Sequence, residues 1–75
     1  MGNNIKAERV RRGLTQTELG EVLGVTQLTV SRWEQGDCEP GGRNLVSMSG
    51  FFGCSPEYLL DLVNDPNAKL KGAIA

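Results

Sequence analysis

Seventy-five residues make a single domain with a thin core, since a chain this short buries only about 60% of its unfolded surface. The sequence has no histidine, which removes the commonest general base and the commonest transition-metal ligand and argues against an enzyme, a metal site or a cofactor. The net charge of −1 offers no overall attraction for a polyanion, and no run of about 18 apolar residues is present to span a membrane.

The N-terminus carries no apolar leader, so a cytoplasmic location is expected. The first helix is expected over 4–12 and ends at Gly13. Its Arg11-Arg12 pair reads as a solvated helix end in preference to a ligand contact, because surface charges are common. A second helix is expected over 16–23. Thr15-Gln16-Thr17-Glu18 is a capping box, in which hydroxyl and carboxylate satisfy each other's orphan backbone N–H groups. Leu14 and Leu19 bracket it at the spacing of a hydrophobic staple.

Gly24-Val25-Thr26 leads into a third helix, 27–35, with the same staple spacing in Val25 and Val30. So short a link forces helices 2 and 3 to cross steeply. Gly24 supplies a left-handed turn residue, and a side chain at Gly20 would hold helix 3 away. Leu19, Leu23, Val25, Val30 and Trp33 are the apolar contacts this crossing needs.

A fourth helix is expected over 43–52, weakened by Gly41-Gly42 at its start and Gly50 inside it, since each interior glycine costs about 1 kcal/mol. Cys38 falls in the preceding loop and Cys54 beyond the helix. They form no Cys-x-x-Cys pair, so both are expected as free thiols, with Cys54 packed rather than reactive. Ser55, followed by Pro56 at the favoured first position, opens a fifth helix over 56–63. Asn64-Asp65-Pro66-Asn67 then breaks the pattern. The expected organisation is one domain over 1–66 and a flexible tail over 67–75.

The residues Ile5-Lys6-Ala7, Arg9, Gly13-Leu14-Thr15-Gln16, Glu18-Leu19-Gly20, Leu23-Gly24-Val25, Val30 to Gly36 and Pro40 carry a pattern that continues through Phe52 to Leu60. In this the chain resembles the lambda-repressor-like family of bacterial and phage regulators, the Cro and Xre type. The resemblance implies an all-α, five-helix fold with a helix-turn-helix formed by helices 2 and 3. It also implies binding of a palindromic double-stranded operator as a homodimer, usually in repression, and hence a bacterial or phage-encoded protein at the nucleoid. Arg9 and Glu34 match positions that pair across helices 1 and 3 in the family, and they are carried over as a structural pair. Gln16 and Thr26, at the starts of helices 2 and 3, match phosphate-contacting positions.

A helical wheel supports this placement independently. At about 100° per residue, Val30 and Trp33 share the inner side of helix 3. Opposite them lie Leu28, Ser31, Arg32 and Gln35, with Gln27 near the helix start. In a major groove Arg32 would bond a guanine bidentately, Gln27 would read adenine, and Leu28 would pack on a thymine methyl. The alternative for Leu28 is an ordinary exposed leucine, and the base contact is placed slightly ahead of it. The expected base contacts are Gln27, Leu28, Ser31 and Arg32; the expected phosphate contacts are Gln16, Thr26, Thr29 and Arg43.

Some positions depart from the family pattern. Asp37 and Glu39 lie in a loop that often carries basic residues, and Glu8 occupies an often apolar position. On a helix running to Val63, Tyr58 to Val63 would spread apolar side chains over an arc near 200°, wider than one core needs, and Phe51 falls beside its own helix's stripe. These observations place Phe51 and Leu60 at an expected dimer interface. The competing reading is a protein-interaction or antitoxin-type module that keeps the fold with weak or no DNA binding, favoured by Asp37 and Glu39 and opposed by Arg32.

Overall fold

Local capping chemistry sets the starts of the central helices. In a computed structural model that describes residues 3–68, the chain forms α1 (Asn3–Arg11), α2 (Gln16–Leu23), α3 (Gln27–Gln35), α4 (Gly42–Phe52) and α5 (Pro56–Leu59), with no strand among the described residues. Glu18 N donates to Thr15 Oγ1 at 3.0 Å and Thr15 N donates to Glu18 Oε1 at 2.9 Å, completing the capping box. Thr26 Oγ1 accepts from Thr29 N, and Ser55 Oγ accepts from Tyr58 N. By contrast α4 opens on Gly41 with no side-chain cap. No helix among the described residues is long and apolar enough to cross a membrane.

The core is built from Ile5, Leu19, Val30, Trp33, Met48, Phe52, Cys54, Tyr58 and Leu59, with Leu23, Val25, Leu45 and Val63 packed against it. α3 packs on both α2 and α1, while α5 packs on α4 and α1. The backbone crossing of α2 and α3 explains Gly20. A Cβ built there would lie 2.6 Å from the Val25 carbonyl oxygen, closer than such contacts allow. Gly24 closes the turn in the left-handed region, at φ 74°.

The fifth helix differs from the expected 56–63: it is a single turn. Its end is a Schellman arrangement, with Asp61 N donating to the Tyr58 carbonyl and Leu62 N to the Glu57 carbonyl. Asp61 holds the left-handed conformation, φ 62°, that the other helix ends give to glycine. The Asn4 side chain also takes the Tyr58 carbonyl at 2.8 Å, and the Asp61 carboxylate accepts from Asn4 N at 3.0 Å. α1 and the end of α5 therefore terminate each other across 57 residues. Beyond this turn, Ser55 N donates to the Pro66 carbonyl and Ser55 Oγ to the Ala68 carbonyl, so the chain stays tied down through Ala68. The rest of the expected tail, 69–75, lies outside the described residues.

Glu8 is buried, and its position is anything but a defect in the core. Tyr58 Oη donates to Glu8 Oε2 at 3.0 Å, Arg12 pairs with Oε1 at 2.8 Å, and Arg11 approaches at 3.3 Å. Arg12 is exposed at the helix end, as the sequence suggested, but it also makes tertiary contacts. Its Nη2 donates to the Phe52 carbonyl at 2.6 Å and its guanidinium lies 4.9 Å from the Phe52 ring centroid, so it fastens α1 to the end of α4.

Burial, with the Glu8 charge adding to it, pushes the Cys54 thiol above its ordinary value of 9.0. Burial and the hydrogen bond to Glu8 push the Tyr58 phenol above 10.0. Folding thus favours the neutral forms. The stability these groups contribute is present below their ordinary pKa values and is lost as pH rises through the raised ones. Thermal melts should hold a constant midpoint from neutral pH to the ordinary thiol range and fall at higher pH. The alkaline slope should be shallower in Tyr58→Phe; an equal slope in that variant would remove Tyr58 as a source.

Candidate nucleic-acid interface

The caps and core contacts of α3 decide which way its side chains face. Val30 and Trp33 are buried, at 0% and 3% exposure, against the rest of the core. On the other side Gln27, Leu28, Arg32 and Gln35 are exposed and Ser31 is half-buried. Leu28 is 54% exposed, a large apolar side chain on the face that carries Arg32. The Arg32 guanidinium forms no ion pair among the described residues, whereas Arg9, Arg11 and Arg12 are all paired. Arg43, exposed in the first turn of α4, also has no acidic partner among the described residues.

The Arg9 and Glu34 side chains form a two-pronged pair, Nε to Oε2 at 2.7 Å and Nη2 to Oε1 at 3.1 Å. Arg9 Nη1 also donates to the Leu14 carbonyl at 2.7 Å, which locks α1, the α1–α2 turn and α3 together. The bond to Glu34 raises the Arg9 pKa still further above the physiological range. Arg9 is therefore a permanent cation.

The expected phosphate contacts occupy different environments. Thr26 is exposed, and its hydroxyl lies 3.0 Å from that of half-buried Thr29. Gln16, at the start of α2, reaches inward and outward: its Nε2 donates to Glu34 Oε1 at 3.1 Å, and its Oε1 accepts from Gln27 Nε2. Sequence spacing gave no sign of this link, because the three residues are 11 and 18 positions apart and belong to two helices. Phe51 is 42% exposed with its ring 5.2 Å from that of Phe52. Leu60 follows the single turn of α5 and lines a small cleft with Ile5, Trp33, Cys38, Pro40 and Leu59. The wide apolar arc expected of a helix through Val63 does not form, because the helix stops at Leu59.

Two capped helices joined by three residues, with a polar stripe facing out from the second, define a helix-turn-helix domain. The Helix-turn-helix family pattern matches residues 5–59, and the chain belongs to that family. It is similar to the repressor protein C2 of Salmonella phage P22, 42% identical over 60 residues that make up 80% of this chain and 28% of that protein. It is also similar to the HTH-type transcriptional regulator DicA of Escherichia coli, 38% identical over 60 residues, 80% of this chain and 44% of that protein. The chain thus spans less than half the length of either relative. The fold matches the crystal structure of the P22 c2 repressor in complex with synthetic operator 9T with a TM-score of 0.76 and 39% identity, over 83% of this chain and 94% of that one. The five-helix, lambda-repressor-like fold expected from the sequence is the fold observed.

Proposed function

We propose that this chain is a sequence-specific, double-stranded DNA-binding transcriptional regulator of repressor type, acting in the cytoplasm by binding rather than catalysis. The observation that carries this reading is the outer side of α3, where Gln27, Leu28, Ser31 and Arg32 stand outward on a helix held from behind by Val30 and Trp33. An α-helix fits the major groove, and these residue types match its code: Arg32 to guanine, Gln27 to adenine, Leu28 to a thymine methyl, Ser31 to either strand's polar edges. Gln16, Thr26, Thr29 and Arg43 surround that stripe as phosphate contacts, and the backbone N–H groups at the starts of α2 and α3 add to them. The structurally similar P22 c2 repressor forms a complex with a synthetic operator, which supports the reading of this chain as a DNA binder.

The protein binds its operator as a homodimer, two recognition helices about 34 Å apart on a palindromic site. The exposure of Phe51 and the partial exposure of Leu60 support these residues as the contact between copies. Sedimentation at micromolar concentration without DNA tests the dimer, and a monomer would count against it.

Selection of bound duplexes from a random pool, followed by a salt titration, tests the function itself. Specific binding should emerge and weaken steeply with salt, with a slope of about −0.9 per phosphate neutralised. Arg32→Ala should lose about 1–3 kcal/mol on the selected site and relax preference at one base pair. Equal losses on every sequence would make Arg32 a phosphate contact. No retention of any duplex at low salt would favour an interaction module, in which exposed Asp37 and Glu39 repel phosphates.

A further inference from the structure

The two apolar side chains proposed to join copies of this chain sit in oppositely charged surroundings. The Phe51 ring packs 5.2 Å from the Phe52 ring, and the Arg12 guanidinium lies 4.9 Å from the Phe52 centroid. Arg12 and Arg11 both close on Glu8, at 2.8 and 3.3 Å, so two guanidiniums share a single carboxylate. One positive charge is left over, and it faces water, since the Arg11 side chain is 65% exposed. Phe51 is therefore an exposed ring with a cationic rim.

Leu60 has the reverse setting. It lines its small cleft with Ile5, Cys38 and Pro40, and Glu39 stands on the same cleft. Glu39 and nearby Asp37 are exposed and form no ion pair among the described residues. An apolar notch with an anionic rim complements an aromatic knob with a cationic one. The notch adjoins Ile5 in the first turns of α1, whereas Arg11 and Arg12 close its far end. At 1.5 Å per residue the two settings lie roughly 10 Å apart along that helix. A two-fold axis across α1 lays two copies side by side in reverse order, so each knob faces a notch. We infer that Phe51 of one copy enters the Leu60 cleft of the other, with Arg11 against the partner's Glu39, and that the contact is made twice. The acidic loop thus has a partner other than DNA. This inference rests on the homodimer reading.

Charge reversal tests the pairing. Arg11→Glu and Glu39→Arg each set like charges together at both contacts. Each variant alone should dissociate about tenfold more readily than the unaltered protein in sedimentation. An equal mixture forms a pair in which both contacts are again opposite in charge. Its association should return to within about threefold of the unaltered protein. Because Arg11→Glu also faces Glu8, thermal melts check its fold, and a thiol pair gives an independent measure of distance. Phe51→Cys places a thiol at an exposed position, and Cys38 already lies in the cleft. Mild oxidation should link the two between copies, which requires their Cα atoms to come within about 7 Å. Adding Cys38→Ser should abolish the covalent dimer, and Val46→Cys, 70% exposed on the same helix, should give none. Single reversals that associate like the unaltered protein, a mixture no tighter than its components, or equal cross-linking from positions 46 and 51 would each overturn the inference. If Arg11→Glu unfolds, the thiol pair decides alone. An unaltered protein that stays monomeric removes the homodimer reading itself, a result distinct from a dimer indifferent to these charges.

Discussion

Trp33→Ala should lower the stability of this domain by about 3–5 kcal/mol, the range for emptying a buried aromatic site. Trp33 is 3% exposed and shares the core with Ile5, Leu19, Val30 and Leu59. Its removal leaves a void where α3 meets α1 and the loop before α4, and backbone tied by caps at both ends of α3 cannot collapse far to fill it. At about 0.05–0.15 kcal/mol per residue the whole domain has only about 4–11 kcal/mol to lose, so the variant should give up a large share of its stability. Urea denaturation followed by circular dichroism measures the difference. A loss under about 1 kcal/mol would mean that the tryptophan is not a core residue and that the outward stripe of α3 faces elsewhere. DNA binding should fall with the folded fraction and not at any particular base pair, which separates this variant from Arg32→Ala.

Glu34→Ala should cost about 3–5 kcal/mol for a different reason. It leaves the Arg9 guanidinium, 11% exposed, without its counter-charge, and an uncompensated buried charge is far more damaging than the net worth of the pair. Arg9 keeps its bond to the Leu14 carbonyl, so the cation stays anchored in a site that no longer suits it. The double variant Arg9→Met/Glu34→Leu should recover most of that loss, since apolar residues of similar volume commonly replace a buried ion pair at little cost. A double-mutant cycle on equilibrium unfolding gives the coupling directly. If Glu34→Ala and the double variant were equally unstable, the damage would come from packing instead of the stranded charge.

The helix-turn-helix was readable from residues because everything that delimits it is local. The capping box spans Thr15 to Glu18, the second cap spans Thr26 to Thr29, and Gly24 and Gly36 close turns within five residues of the groups they satisfy. The inward Val30 and Trp33 and the outward Gln27, Leu28 and Arg32 follow from helical period alone, and burial falls as that period requires. The Arg9 and Glu34 positions came from family resemblance, and their atoms lie within hydrogen-bond distance.

What eluded a linear reading shares one property: partners far apart in the chain. Glu8 read as a charge in an apolar position, yet Tyr58, 50 residues away, meets it in the core. Arg12 read as a surface charge and is exposed, but it also bonds the Phe52 carbonyl across 40 residues. The fifth helix read as two turns from its apolar content, but Asn4 takes one of its last carbonyls and Asp61 turns left-handed to cap α1. Gln27 and Gln16 read as separate contacts with bases and phosphates, while the folded chain joins them to a buried carboxylate. Caps and periodicity act between neighbours within a turn or two, so amino-acid order alone specifies the helices and the side each one hides. Where charges are neutralised, where the last helix stops and which way an amide faces depend on groups that only the packed fold brings together.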